Sequence, residues 1–214
     1  FWAEQAKALP WFKAPQDILT QDNEGIYHWF DDGEMNTAYM AVDYHVEIGR
    51  GEAYPGQWLA IRSGNVSAVQ QSLGLANPQQ CSWAEGFSVS NGQRLFIAPP
   101  VQGWILVVGL ALPVPEDDID RCFHFITQLS RKLGHVQFFS RNRALEHHAW
   151  VRAQTGRIER AYAWAGETLW NQGALTDDEV ALDTRCQPYG QSVLELDYRD
   201  LDRLTINTEN VPRL

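Results

Sequence analysis

The stretch HHAWVRAQTGRIERAYAWAGETLWNQG, residues 147–173, is rich in aromatic residues and contains a Thr155-Gly156 pair in its first half. Aromatic and β-branched residues favour strands and Gly favours a tight turn, so the stretch predicts a hairpin or meander. Alternation within RIERAYAW predicts one face made of Ile158, Arg160, Tyr162 and Trp164, and another made of Glu159, Ala161 and Ala163. Arg160 is then a polar residue among aromatic rings, and we expect it to be paired.

The segment PEDDIDRCFHFITQLSRKLGH, residues 115–135, predicts a helix more clearly than any other part of the chain. Apolar side chains recur at helical spacing, at Ile119, Cys122, Phe123, Ile126, Leu129 and Leu133. Acids fill the first turn, Arg131 and Lys132 lie in the last turn, and Gly134 follows as the C-terminal cap.

Shorter patterns complete the second part of the chain. QWLAIRS (57–63) and VQFFS (136–140) predict strands, NVSAVQQSLGL (65–75) a helix, and QRLFIAPPVQGWILVVGLALP (93–113) two buried strands. LTDDEVAL (175–182) predicts a short helix capped by Thr176, and SVLELDY (192–198) one further strand. We therefore predict an α+β fold, with a mainly antiparallel sheet and helices packed on one face, preceded by a helical and irregular N-terminal segment.

The N-terminal segment, residues 1–52, differs from the α+β domain predicted for residues 53–214. FWAEQAKAL favours a helix before Pro10, irregular chain follows, and Asn36 is the predicted N-cap of a helix over about 37–48, before Gly49 and Gly51. Further markers are Phe1-Trp2, Trp11-Phe12, Trp29-Phe30, Gly33, Asn36-Thr37, Asp43, His45 and Gly49-Arg50-Gly51. With these markers, residues 1–51 resemble the N-terminal segment of short-chain acyl-CoA synthetases, closest to the propionyl-CoA synthetase branch.

The resemblance implies a non-catalytic lead-in that packs against a large adenylation domain. The phosphate loop and the late lysine of that family find no match after Gly51, because RSGNVSAV lacks a lysine and the last lysine is Lys132. A chain of 214 residues also leaves no room for an adenylation domain. We therefore expect no ligase activity, and no enzyme activity.

Composition indicates an acidic globular protein with a net charge of −10. Negative charge is concentrated at the two ends, with net charges of −7 over residues 1–54, +2 over 55–175 and −5 over 176–214. We expect no nucleic-acid binding, because such a protein repels phosphate backbones. The chain contains no run of about 20 apolar residues, so we predict no membrane span. The three cysteines and the absence of a signal sequence in the N-terminal residues favour the cytoplasm.

Motifs for chemistry are weak. The histidines and cysteines lack metal-ligand spacing, Cys122 lies on an apolar stripe, and no pattern predicts a cofactor. A basic and aromatic centre consists of Arg141, Arg143, Arg152, Arg157 and Arg160 with Trp150, Tyr162, Trp164 and Trp170. These arginines either stack on a base or clamp a phosphate or carboxylate, or they alternate with core rings across a sheet.

Two acidic clusters are the candidate protein-binding residues: Glu116, Asp117, Asp118 and Asp120, and Asp177, Asp178, Glu179 and Asp183. Acids also favour the first turn of a helix, which explains both clusters without a partner. Residues 55–185 resemble an uncharacterised, immunity-like bacterial family. We therefore predict a non-catalytic immunity or inhibitor protein that neutralises a basic toxin by direct binding. The alternative is a regulator, accessory protein or divergent enzyme of acyl-CoA metabolism that docks through the N-terminal segment.

Overall fold

The computed structural model describes residues 11, 13–23, 25–29, 31–33, 56–89 and 94–214. The chain divides into two compact units, residues 1–53 and residues 54–212 with Leu214. The helices predicted before Pro10 and over 37–48 lie outside the described residues.

The first unit contains an antiparallel hairpin of β1 (Leu19–Gln21) and β2 (Tyr27–Trp29). Asp22 stabilises the turn between them. Its Oδ1 accepts a hydrogen bond from the backbone N–H of Ile26 at 2.9 Å, and its Oδ2 lies 3.0 Å from Nε2 of His28. Gly25 has a φ of +83°, which suits a glycine in a tight turn. A local Asp side chain therefore holds this short hairpin.

The described part of the second unit contains a seven-stranded sheet. Its strands are β3 (Gly56–Arg62), β4 (Phe96–Ile97), β5 (Trp104–Val108), β6 (His135–Asn142), β7 (His147–Gln154), β8 (Arg157–Trp164) and β9 (Thr168–Gln172). They lie in the order β4-β5-β3-β6-β7-β8-β9, and every neighbouring pair is antiparallel. The described helices are α1 (Val66–Ser72), α2 (Trp83–Val89), α3 (Ile119–Leu133), α4 (Asp177–Ala181) and α5 (Tyr198–Asn210). The predicted α+β class with a mainly antiparallel sheet is confirmed.

Helix α3 packs on one face of the sheet as its apolar stripe predicts. Cys122, Ile126 and Leu129 are buried against side chains of β3, β5, β6, β7 and β8. Asp118 caps the helix, because its Oδ1 accepts from the backbone N–H of Arg121 at 2.9 Å. Gly134 ends it with a φ of +87°. None of the described helices is long and apolar enough to cross a membrane.

The C-terminal segment, residues 176–211, covers part of the opposite face of the sheet. Leu204 and Val211 are buried there, and side chains of α4 and α5 bond to β7 and β8. The strand predicted at residues 192–198 is wrong, because Val193–Glu195 form a 3₁₀ turn and Tyr198 begins α5. Asp197 favours the helix since its carboxylate accepts from the backbone N–H groups of Arg199 and Asp200.

A β-bulge corrects the predicted alternation of β8. Arg160 pairs with Arg152, but Ile158 pairs with Ala153, which leaves Glu159 as the extra residue. Ile158 therefore packs against the α3 side of the sheet rather than sharing a face with Arg160. Glu159 lies close to Arg152 instead, with its Oε2 3.2 Å from Nε of that arginine.

Gly173 follows β9 at a position that cannot accept a side chain without strain. Its φ is +82°, and an added Cβ would collide with the backbone carbonyl of Glu159. We expect Gly173→Ala to lower the free energy of unfolding by about 2 kcal/mol or more, measured by urea denaturation. Gly166→Ala is the matched control, because Gly166 has a φ of +76° but nothing within 4 Å of the added Cβ. Equal losses in the two variants would contradict the collision.

Candidate functional site

A buried ion pair between Arg160 on β8 and Glu179 on α4 is the most ordered polar feature of the second unit. Nε of Arg160 lies 2.9 and 3.0 Å from the two carboxylate oxygens of Glu179, and Nη2 lies 2.7 Å from Oε1. The two residues are 2% and 0% exposed. The predicted pairing of Arg160 is confirmed, with a partner that lies 19 residues further along the chain.

Glu179 is placed by the capping box of α4. Its backbone N–H donates to Oγ1 of Thr176 at 3.1 Å, and its Oε2 accepts from the backbone N–H of Thr176 at 2.8 Å. Nε1 of Trp150 donates a further bond to Oε1 at 3.0 Å. Burial raises the pKa of Glu179, but the bonds from Arg160 and Thr176 outweigh it and hold the pKa below its usual value. Glu179 is therefore ionised at neutral pH.

Arg160 is fully used by its protein partners. Nη1 donates to the carbonyls of Ala161 and Gln172 and to Oδ1 of Asn171, at 2.9, 3.1 and 2.9 Å. Nη2 also lies 2.9 Å from Sγ of Cys186. All five N–H donors of the Arg160 guanidinium thus have partners within the protein, which leaves none for a ligand. Of the two interpretations of the basic and aromatic centre, Arg160 fits the structural one.

Cys186 lies beside this pair but does not have the character of a nucleophile. Burial raises the pKa of its thiol to about 12, although the guanidinium of Arg160 opposes the shift. Cys122 lies on the buried side of α3, and burial raises its thiol pKa to about 12 as well. Both thiols stay protonated at neutral pH. Among the described residues, no group of three or more metal-ligating side chains comes together.

His148 lies deep on the same face, between the sheet and α5. Its Nδ1 is 3.0 Å from Oγ1 of Thr208 and 3.1 Å from the carbonyl of Glu146. The hydroxyl of Thr208 donates to the carbonyl of Leu204, so it accepts from Nδ1–H, and Nε2 carries no proton. Burial lowers the pKa of His148 to about 3. The imidazole is therefore neutral and structural.

These contacts attach the C-terminal segment to the sheet. Besides Glu179 and Thr208, the backbone N–H of Gln187 donates to the hydroxyl of Tyr162 at 2.9 Å. Rings of His148, Trp150 and Tyr162 lie 5.0 to 5.8 Å apart beneath the segment. The buried cluster therefore anchors the C-terminal segment to the sheet, and we call it the anchor.

A shallow depression lies beside the anchor and is open to solvent. It is lined by Gln137, Phe139, Trp150, Val151, Arg152, Arg160, Thr176, Asp178 and Leu214. Arg152 is the exposed cation of this lining, since Arg160 is buried. The depression brings α4 next to β6 and β7, which lie well before it in the sequence.

The eight predicted protein-binding acids differ in exposure and in their contacts. Seven are exposed: Glu116, Asp117, Asp118, Asp120, Asp177, Asp178 and Asp183. Asp118 caps α3, Glu116 lies 3.1 Å from Nδ1 of His147, and Asp183 pairs with Arg203 at 2.6 Å. Glu179 is buried, so the expectation that it faces a partner is wrong. Binding of a protein partner by the seven exposed acids stays a prediction.

Glu179 is the residue whose role sequence reasoning missed. A signal was present, because Thr176 and Glu179 have the spacing of a capping box, which favours a carboxylate turned back toward the helix start. That signal does not distinguish an exposed box from one that lies over a buried arginine. The distinction depends on where α4 packs.

Comparison with known proteins gives matches at the N-terminus. Residues 1–41 match the family described as acetyl-coenzyme A synthetase N-terminus. An uncharacterized protein of Pseudomonas aeruginosa is 52% identical over 52 residues, which are 24% of this chain and 8% of that protein. The acetyl-coenzyme A synthetases of Streptomyces coelicolor and Burkholderia lata are 50% identical over 52 residues and 45% over 53, with the same shares. No solved structure matches.

These matches confirm the resemblance of the N-terminal segment to short-chain acyl-CoA synthetases. The chain spans about 8% of the length of the curated relatives it matches. The prediction of an immunity protein that neutralises a toxin is wrong, because the matching family and relatives point to acetyl-coenzyme A synthetases. The chain thus joins an N-terminal segment similar to that of acetyl-coenzyme A synthetases to an α+β unit.

Proposed function

We propose that the protein is a non-catalytic accessory or regulatory protein of acyl-CoA metabolism, and that it docks on a short-chain acyl-CoA synthetase through residues 1–52. One observation carries the proposal: 50% identity over 52 residues with an acetyl-coenzyme A synthetase. The resemblance implies that the corresponding segment of such a synthetase packs against its large domain. A second copy of that surface in another chain is suited to compete for the same place.

The described hairpin of the first unit supports a docking role. Three of its large apolar side chains are exposed: Leu19 at 45%, Ile26 at 54% and Tyr27 at 62%. Side chains of this kind at a protein surface favour contact with a partner, and tyrosine is enriched among residues that dominate binding. All three lie within the stretch that matches the family.

The other properties of the chain are compatible with this role. The three cysteines are free, as is usual in the reducing cytoplasm where we place the protein. Arg160 and Glu179 are saturated by each other and by neighbouring groups, which supports a role without chemistry for the anchor.

The test mixes the purified protein with the acetyl-coenzyme A synthetase of Streptomyces coelicolor. We expect a complex on size-exclusion chromatography run without nucleotides, and a changed rate of acetyl-CoA formation in a separate assay that supplies acetate, ATP and coenzyme A. The double variant Ile26→Ala/Tyr27→Ala should weaken the complex about tenfold, because exposed apolar and tyrosine side chains commonly contribute most to binding.

Leu194→Ala provides the matched control. Leu194 is 92% exposed and lies in the second unit, so its loss removes apolar surface without touching the hairpin. Absence of both a complex and a change in rate would reject the proposal. Equal weakening by the hairpin variant and by Leu194→Ala would reject the hairpin as the docking surface.

A further inference from the structure

The face of the sheet opposite α3 is only partly covered by the C-terminal segment. Toward the N-terminal end of β6, the side chains of Trp104, His135 and Gln137 are half-buried, and Arg62 and Arg152 are exposed. This open region combines aromatic and cationic groups in a chain whose net charge is −10.

Strand register places five side chains of this face in one line across the sheet, which we call the cationic row. Trp104 is opposite Arg62, and Ile61 is opposite Val136, so Arg62 and His135 are neighbours one position further on. The row continues because His135 is opposite Gln154 and Gln154 is opposite Arg157. The row consists of Trp104, Arg62, His135, Gln154 and Arg157. It crosses five strands, or about 19 Å at the usual spacing.

Direct contacts link the aromatic end of the row. Cζ of Arg62 lies 6.0 Å from the ring centroid of Trp104, within the range of a cation–π interaction. The ring of His135 meets that of Trp104 edge-on at 5.1 Å. The indole is therefore held by its neighbours while part of it stays accessible.

The charge of the row is not compensated among the described residues. Neither Arg62 nor Arg157 has a carboxylate partner there, and Arg152, one position away, pairs with the exposed Glu159 at 3.2 Å. Nε2 of His135 is inaccessible to solvent and has no hydrogen-bond partner among the described residues. Burial lowers the pKa of His135, and Arg152 and Arg62 contribute to the shift. Two unpaired guanidinium groups thus flank a neutral imidazole.

We propose that the cationic row binds a nucleotide group, with the base on Trp104 and the phosphates on Arg62 and Arg157. Guanidinium groups bind phosphate oxygens through charge-assisted hydrogen bonds, and purine rings stack on indole. The length of about 19 Å suits an extended nucleotide with two or three phosphates. A long nucleic acid fits poorly, because its backbone would run past the row onto a surface of a protein whose net charge is negative, and negative charge repels phosphates.

Two sources carry this group: a free nucleotide such as ATP, and coenzyme A. The choice of coenzyme A rests on the proposed function, whereas the row itself does not. The experiment is isothermal titration calorimetry of the full chain at low salt with ATP, coenzyme A and inorganic pyrophosphate. We expect Arg62→Gln and Arg157→Gln each to weaken nucleotide binding about tenfold, as loss of a charge-assisted hydrogen bond predicts.

Two further variants separate the base from the phosphates and the row from general charge. Trp104→Leu should weaken binding of ATP and coenzyme A about tenfold and leave pyrophosphate binding unchanged, because only the nucleotides stack. Arg143→Gln is the control, since Arg143 is exposed but follows the other end of β6 and pairs with Glu209 at 3.4 Å. The Arg143→Gln variant should bind ATP and coenzyme A with the affinity of the wild type.

Each outcome bears on the proposal. Binding of ATP but not coenzyme A identifies a free nucleotide as the source, and tighter binding of coenzyme A identifies the cofactor. No binding of either at millimolar concentration would overturn the proposal, as would binding that Arg62→Gln and Arg157→Gln leave unchanged. If the Trp104→Leu variant does not fold, the affinities of Arg62→Gln and Arg157→Gln still test the proposal. Docking on a synthetase is measured without nucleotides, so either proposal can fail while the other stands.

Discussion

Replacing Glu179 by glutamine is expected to lower the free energy of unfolding by about 3 kcal/mol or more. The substitution leaves the guanidinium of Arg160 buried without its counter-charge, and breaking one side of a buried pair costs about 3–5 kcal/mol. Arg160 is 2% exposed and cannot turn to water for compensation. Urea denaturation followed by circular dichroism measures the loss.

The same substitution should also loosen the C-terminal segment. Glu179 accepts bonds from Arg160, Trp150 and Thr176, so it joins α4 to two strands of the sheet. We expect limited proteolysis to cut the variant near Gly190 faster than the wild type, because cleavage follows local opening. Helix α3 packs on the opposite face and should stay protected.

Asp178→Asn is the control for Glu179→Gln. Asp178 precedes Glu179 in α4 but is exposed, so its neutralisation should change stability by less than about 0.5 kcal/mol. The double variant Arg160→Met/Glu179→Leu should be more stable than Glu179→Gln, because removing both charges leaves neither one unpaired. A double variant that is no more stable than Glu179→Gln would argue against a coupled pair.

The second large effect is expected on acidification, and it comes from His148. The pKa of His148 is about 3 in the folded protein and about 6.5 when unfolded, so the unfolded state binds the proton first. Its contribution to stability is complete above pH 6.5 and is lost as the pH falls toward 3. At 1.36 kcal/mol per pKa unit, the loss between pH 6.5 and pH 4 is about 3 kcal/mol.

His148→Gln removes the titrating group and should flatten this part of the stability curve. The variant is expected to be less stable than the wild type at pH 7, where it loses the stacking on Trp150, and to approach it near pH 4. Urea denaturation at intervals of half a pH unit measures the free energy of unfolding of the wild type and of the variant. His147→Gln serves as the neighbouring control, since His147 lies on the other side of β7 beside Glu116. Identical pH dependence in wild type and His148→Gln would contradict the assignment.

The helix α3 and the strands of the sheet were predictable from local patterns. The apolar stripe from Ile119 to Leu133, the acids before it and Gly134 after it act within a few residues of each other. Strand alternation works over the same range, and it failed at Glu159, where a bulge adds one residue. A bulge follows from the pairing of two strands, which no pattern within one strand contains.

Residues of the anchor and of the cationic row come from distant parts of the chain. The polarity of Arg160 on an aromatic face predicted a partner, but the identity of that partner required the packing of α4 on the sheet. Arg62, Trp104, His135 and Arg157 meet through strand register alone. Spacing in the sequence holds no record of that register, because it is set by side-chain packing across the sheet.

The sequence by itself therefore determines some features of the protein, and the tertiary structure decides the others. Periodicity and caps specify α3 and the strands, and the identity of the first 52 residues with synthetases is a property of the residues, which needs no coordinates. The partner of Arg160, the burial of Glu179 and the assembly of the cationic row arise from contacts between elements. Such contacts depend on how strands pair and helices pack, and these are long-range interactions that local chemistry does not encode.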